Sequence, residues 1–335
     1  MARITAPAGL DAAGVAAVLE LLTSPALDDA TGGALLAAWA ARGETAAEVA
    51  ALVRLLREKS VRVELPAPAF DLCGTGGSGL TRYNVSTTVA FILAAAGVPV
   101  AKHGNVGSQR PNGSFDLLKE LGVPFQLPPA ALARLHAETG VCFLFARAHH
   151  PAVGAVARHR KAAGRRTIFN LAGPLANPAP TAAQLIGVAQ PAQGPVLAGA
   201  LAELGVARAL VVQGHPGIDE WSVLGPTRWW RPEAGRIAEG RSDSAVRPGL
   251  DHAALPGGDA PENARIFHAL LAGREQGALR ELVLVNAGVA LDLWNGLPPD
   301  DDGPGRQRAA ELLASGAVAE AYARHRALAQ MLAAG

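Results

Sequence analysis

The stretch Asp71–Thr88, DLCGTGGSGLTRYNVSTT, places four glycines (Gly74, Gly76, Gly77 and Gly79) within six positions, between an apolar run and a candidate helix start. Glycine carries an entropic cost in ordered structure, so such a cluster marks a tight loop or a close approach of backbone to ligand. A strand candidate precedes it and STTVAFILAAAG (86–97), a helix candidate, follows. In an open α/β sheet the ligand lies beyond the carboxyl ends of the strands. Amides of such a loop, with the positive end of the next helix, can cradle an anion. Thr75, Ser86 and Thr87 would add hydroxyl donors. The spacing matches neither a Walker loop nor GxGxxG, so by itself the loop reads equally as a structural turn.

Outward from this stretch, short apolar runs VPVAKHG, VCFLFA, QLIGVA, RALVVQG and ELVLVNA alternate with helical stretches such as GPVLAGALAELG. That alternation predicts an α/β fold with a mostly parallel sheet covered by helices on both faces. Asn286, inside LVLVNAGVAL, is expected to bond backbone in a buried helix rather than touch substrate. Before the sheet, apolar residues recur every three or four positions in AAGVAAVLELL, GGALLAAWAARGE and TAAEVAALVRLLREKS. Thr45 and Glu48 form a capping-box signature for the third of these helices. Pro66 and Pro68 cannot sit inside a helix and favour an extended connection. The expected division is a small helical domain over 1–66, joined in space by helices from about 151–182, and an α/β domain over 67–335. The stretch 225–258 reads as irregular or hairpin-like, and its Trp229 and Trp230 are expected to cover an edge or a partner rather than carry chemistry.

With 335 residues, 50% hydrophobic and only 4% aromatic, the chain can bury a large core of Ala, Leu and Val. A formal net charge of +1 gives no global attraction to nucleic acid, which is therefore not an expected partner. Cys73 and Cys142 cannot make a disulfide framework or a zinc site, which points to a reducing, cytoplasmic setting. No apolar stretch is long enough to span a bilayer, so no membrane association is expected.

A second strand candidate ends in AKHGNVGSQRPNGSFD, where Lys102 and His103 precede another glycine-rich loop. After the strand candidate ALVVQG, GIDEWS sets Asp219 and Glu220 side by side, oxygen ligands suited to Mg²⁺ beside a polyphosphate. Each also has a plain reading: a solvated lysine, a solvated acidic pair, satisfied loop histidines at His103 and His150. The basic run 146–166 reads as a solvated helix face.

Taken in order, these pieces resemble the anthranilate phosphoribosyltransferase family, which shares its architecture with pyrimidine nucleoside phosphorylases. The resemblance covers almost the whole chain and is carried by GTGGSG with NVST, KHGN with GSFDLLKELGV, RTIFNLAGPLANP and GIDEWS. It implies a helical dimerisation domain hinged to a larger α/β domain, a homodimer, and phosphoribosyl pyrophosphate in the cleft bridged by Mg²⁺. The implied reaction is displacement at the ribose C1 carbon by the amine of anthranilate, a step of tryptophan biosynthesis. Gly74, Thr75, Gly76 and Gly77 would line diphosphate and ribose. Asn84, Ser86 and Thr87 would hold diphosphate oxygens, with Ser86 also reaching a metal. Lys102 would bind phosphate, and Asp219 and Glu220 would bind metal. His103, Asn105, His150 and Arg160 would line the tunnel of the aromatic amine, Arg160 pairing with its carboxylate. No general base is implied.

The chain departs from the family pattern at Ser78 (usually aspartate), Val106 (arginine), Gln109 and Arg110 (serines) and Gln213 (histidine). Arg110 could replace lost phosphate donors, since guanidinium suits phosphate. The departures leave open a divergent paralogue using another acceptor, a nucleoside phosphorylase, or a non-catalytic nucleic-acid-binding relative.

Overall fold

A computed structural model describes residues 2–80, 82–107, 111–243 and 252–334. Its centre is a seven-stranded sheet: β1 (Ala69–Gly74), β2 (Val100–Gly104), β3 (Val141–Phe145), β4 (Thr181–Gly187), β5 (Arg208–Gly214), β6 (Thr227–Glu233) and β7 (Arg236–Ser242). The strand order is β3-β2-β1-β4-β5-β6-β7, with β1 to β5 parallel and β6 and β7 antiparallel. The 225–258 stretch thus begins as a hairpin, turning at Ala234 and Gly235. Both have positive φ (45° and 83°), as a two-residue turn matched to strand twist requires.

Alternation along the strands separates two cores. Leu185, Leu210 and Val212 face a cluster with the helices Val85–Ala95, Ala260–Leu271, Ala278–Trp294 and Ala317–Ala334. Ile186, Ala209 and Val211 face the other way, into a cluster with the helices Ala12–Thr23, Asp29–Arg42 and Ala46–Glu58. The second cluster also takes in Val156, Phe169, Leu171 and Leu175. Helix Ala157–Ala162 lies so close to helix Asp29–Arg42 that a Cβ on Gly32 would fall 2.2 Å from the His159 ring. Glu48 locks the helical lobe: it completes the expected capping box with Thr45 and pairs with Arg42, Trp39 and the Leu10 amide.

One run set among the strand candidates lies in the buried helix expected around Asn286. ELVLVNA lies within Ala278–Trp294, of whose 17 residues 13 are buried. Because that helix is covered on nearly every side, its sequence lacks the polar stripe that would have announced a helical period. Asn286 does bond backbone as expected, accepting from the Trp221 amide and donating to Trp221 and Leu282 carbonyls at 2.8–2.9 Å. Trp230 is buried against Gly194 on the helical side, and Trp229 packs over Gly240. No described helix is long and apolar enough to cross a membrane.

Candidate active site

From β1 the chain builds outward through β2 to β3, then returns to the far side of β1 as β4, so the strand order reverses between β1 and β4. A crevice opens at such a reversal. Here the two last residues of those strands, Gly74 and Gly187, stand opposite each other in register. Both are glycine for one reason: Asp219 is seated on them. A Cβ on Gly74 would lie 2.0 Å from Asp219 Oδ2, and one on Gly187 1.8 Å from the Asp219 carbonyl.

The glycine loop folds around that carboxylate. The Thr75 amide donates to Gly187 O at 2.9 Å, and the Gly76 amide to Asp219 Oδ2 at 2.9 Å. Two amides expected to face a ligand are therefore engaged within the protein. Arg166 holds the opposite side of the loop, donating to Thr75 O (3.0 Å) and Gly76 O (3.1 Å). In a trans peptide the carbonyl and the following N–H point in opposite directions. With Gly76 O turned to Arg166, the Gly77 amide is aimed away from it. Among the described residues that amide has no protein acceptor. Gly77 must be glycine: its φ is +86° and a Cβ would lie 2.0 Å from Arg166 Nη1.

Asp219 and Glu220 share one partner. Arg82 donates one guanidinium nitrogen to each carboxylate. Burial pushes the Asp219 carboxyl up, but Arg82 and the Gly76 amide more than offset this and hold it below the usual carboxylate range.

Next to the loop, helix Val85–Ala95 begins without a side-chain cap. Asn84 turns aside instead, donating to Asn112 O (2.8 Å) and accepting from Asn263 (2.9 Å). Ser86 is half-buried in the first turn, and Thr87 is fully buried, its hydroxyl without a partner among the described residues. Lys102 is buried at the base of the site and donates to Leu72 O at 2.8 Å. Burial lowers its pKa, with the nearby Asp71 and Asp219 charges opposing. Asp71, wholly buried, accepts the His103 amide at 3.0 Å and so ties β1 to β2 where the site begins.

Successive residues of β2 project to opposite faces. His103, next to Lys102, meets His150 edge to face with ring centroids 5.1 Å apart. Neither ring nitrogen of His150, nor Nε2 of His103, has a partner among the described residues. Burial, with neighbouring histidines adding to it, drives His103 well below the ordinary imidazole range and His150 down to about 4. Both rings are neutral at neutral pH. Arg160 lies 5.7 Å from the Phe169 ring centroid and is close enough to Arg166 for the two charges to repel. Asn105 is exposed at the end of β2, its Oδ1 accepting the Val106 amide at 2.9 Å. Val106, where the family pattern has arginine, packs against the core. Gln109 and the proposed substitute donor Arg110 lie outside the described residues.

Contacts thus gather Gly74, Thr75, Gly76 and Asp219 into one cluster, with Glu220 attached through Arg82. His103 and His150 form a second. No described hydrogen bond joins Ser86 to the acidic pair. Three further residues, Arg82, Arg166 and Asp71, help build the site without having been singled out in the sequence. Arg82 offered a signal, a lone charge between a glycine loop and a helix start. Arg166 sat in a basic run with no local mark, because its partners are 90 and 91 residues away.

Two carboxylates that already clasp a cation between them have the donor chemistry for Mg²⁺. Among the described residues no group of three or more His, Cys, Asp or Glu side chains surrounds a metal position. Mg²⁺ characteristically takes one or two carboxylates and completes its shell with water and substrate phosphate.

Residues 66–319 match the glycosyl transferase family a/b domain, and residues 3–60 its helical bundle domain. The chain is 43% identical over 312 residues to an anthranilate phosphoribosyltransferase of Synechococcus sp., covering 90% of this chain and 88% of the relative. It is 45% identical over 260 residues to one from Sphingopyxis alaskensis, covering 77% and 78%. Among solved structures, anthranilate phosphoribosyltransferase of Thermus thermophilus superposes with a TM-score of 0.88 at 37% identity, covering 98% of each chain. The enzyme of Saccharomyces cerevisiae in complex with PRPP and Mg gives 0.81 at 25% identity, covering 96% and 92%. With its α/β match spanning residues 66–319 and relatives at this level of identity over most of its length, the chain belongs to the anthranilate phosphoribosyltransferase family of glycosyl transferases.

Proposed function

We propose that the protein transfers the phosphoribosyl group of phosphoribosyl pyrophosphate to anthranilate, as a homodimer through its helical lobe in the cytoplasm. The observation that carries the reading is the seat of Asp219 on Gly74 and Gly187 at the strand-order reversal, which puts Asp219 directly against the glycine loop, while Arg82 ties the acidic pair to the segment just before a helix. Bound at Asp219 and Glu220, Mg²⁺ would supply charge neutralisation for a diphosphate.

The protein's own groups do the rest by placement. Gly77 and Ser86 present amides to the diphosphate, the Val85 and Thr87 amides being engaged by Tyr83 O and Asn84 O, and the Ser86 hydroxyl flanks it. Lys102 stabilises negative charge from below. Arg166 fixes the loop, so the donors need no reorganisation as charge develops on the leaving group. On the other side of β2, His103 and His150 offer neutral, partly unpaired rings to an aromatic amine. Arg160 offers a planar two-pronged partner to its carboxylate. Holding amine and C1 in line lowers the barrier without covalent participation of the protein.

The test is an assay of purified protein with phosphoribosyl pyrophosphate, anthranilate and Mg²⁺. Product formation that disappears on omitting Mg²⁺ is expected. No product at high enzyme concentration, with uptake of another amine or phosphorolysis of thymidine or uridine, would reassign the acceptor.

A further inference from the structure

Arg82 is the counter-cation of the acidic pair. Its two terminal nitrogens reach Asp219 and Glu220, and the three side chains are only 14%, 7% and 15% exposed. One guanidinium thus bridges both carboxylates, the place a divalent ion held by the same pair would take. The remaining donor, Nε, is buried without a partner among the described residues, so the arrangement leaves Arg82 one acceptor short.

Backbone around it is firmly held. Asn263 donates to Arg82 O at 3.3 Å, and Gly257 lies so close that a Cβ there would fall 2.3 Å from Tyr83 N and 2.4 Å from Arg82 C. Asp219 stays anchored by the Gly76 amide whichever cation it faces. The exchange needs only a swing of the Arg82 side chain, which starts three residues before Val85, where the helix opens.

We propose that Arg82 is an exchangeable occupant of the metal position: it holds Asp219 and Glu220 until a divalent ion arriving with diphosphate takes them, and then turns its guanidinium onto phosphate oxygens. The proposal rests on the assignment of Asp219 and Glu220 as metal ligands above. It makes metal and diphosphate binding mutually supportive, because the ion releases the arginine that the diphosphate needs.

Mn²⁺ titrated alone into the full chain, followed by electron paramagnetic resonance and calorimetry, tests it. Arg82→Gln removes the competitor and should tighten Mn²⁺ binding about tenfold to a hundredfold, the weight of one charge-assisted pair. Arg82→Lys cannot fork across two carboxylates and should give a smaller gain. With Mn²⁺ saturating, phosphoribosyl pyrophosphate should bind Arg82→Gln about tenfold or more weakly than wild type. Unchanged or weaker Mn²⁺ binding in Arg82→Gln, or in Arg82→Lys should the glutamine variant not fold, overturns the exchange. Asp219→Asn with Glu220→Gln separates the two levels. Its loss of Mn²⁺ binding supports the metal assignment independently of Arg82, whereas wild-type Mn²⁺ binding in it would overturn that assignment and the exchange together.

Discussion

Two clusters stand at the carboxyl ends of neighbouring parallel strands and are built on opposite electrostatic plans. Around β1, β4 and the chain after β5, the site is all charge: Asp219, Glu220, Arg82 and Arg166, with Lys102 beneath. Around β2 and β3 the same depth of burial holds His103 and His150 uncharged. Burial penalises ionisation in both places. It loses at Asp219, where Arg82 and the Gly76 amide are within reach, and wins at His103 and His150, where neighbouring imidazoles and cations add to it. A single sheet edge can therefore present a charge-stabilising pocket and a neutral aromatic pocket side by side, as transfer of a charged sugar phosphate to a neutral amine requires.

The contrast can be broken most severely at its charged end. Asp219→Asn with Glu220→Gln should lower phosphoribosyl transfer by about a thousandfold or more, the scale of losing oriented electrostatic stabilisation, while the thermal unfolding curve stays cooperative. Retained activity in steady-state assays would show that the acidic pair is structural.

At the neutral end the expected effect is on stability. His150 has a folded pKa near 4, below its unfolded value, so acid protonates the unfolded chain first. Its contribution is fully present above about pH 6.5 and is lost as pH falls toward about 4, amounting to about 3 kcal/mol. Urea unfolding at pH 7 and pH 5 should show a steeper loss for wild type than for His150→Asn. Comparing the two isolates this histidine from Asp71, whose raised pKa acts in the opposite direction.

Lys102 sharpens the comparison because it lies between the two clusters. Lys102→Met removes one charge from beneath the diphosphate and should weaken phosphoribosyl pyrophosphate binding by about tenfold to a hundredfold in calorimetry, with anthranilate binding little changed. The smallest effect is expected at Arg160. Arg160→Lys keeps the charge but loses the planar fork, so KM for anthranilate should rise by about tenfold at nearly constant kcat. A loss confined to kcat would place Arg160 in the transfer step instead.

Much of the scaffold was legible locally. Thr45 and Glu48 announced their helix because both partners of a capping box lie within one turn. The strands ending at Gly74, Gly104 and Gly214 were legible because buried parallel strands read as short apolar runs before a turn residue. ELVLVNA read both as a strand and as a buried helix for the same reason: an apolar run covered on all sides has no period to betray it. In the site, Lys102 and the acidic pair were visible as charges at strand ends. Which partner each one takes was not, since Arg82 meets Asp219 across 137 residues and Arg166 meets the loop across 90.

By itself, then, the sequence determined the alternation of strands and helices, the glycine loops, and which charged and hydroxyl side chains stand at the ends of the strands. Those follow from backbone freedom and side-chain chemistry, which are local. Tertiary structure alone decided that Gly74 and Gly187 face one residue, Asp219, that an arginine occupies the acidic pair, and that two histidines lose their charge. Each depends on what folding brings within a few ångströms and on how much water it removes.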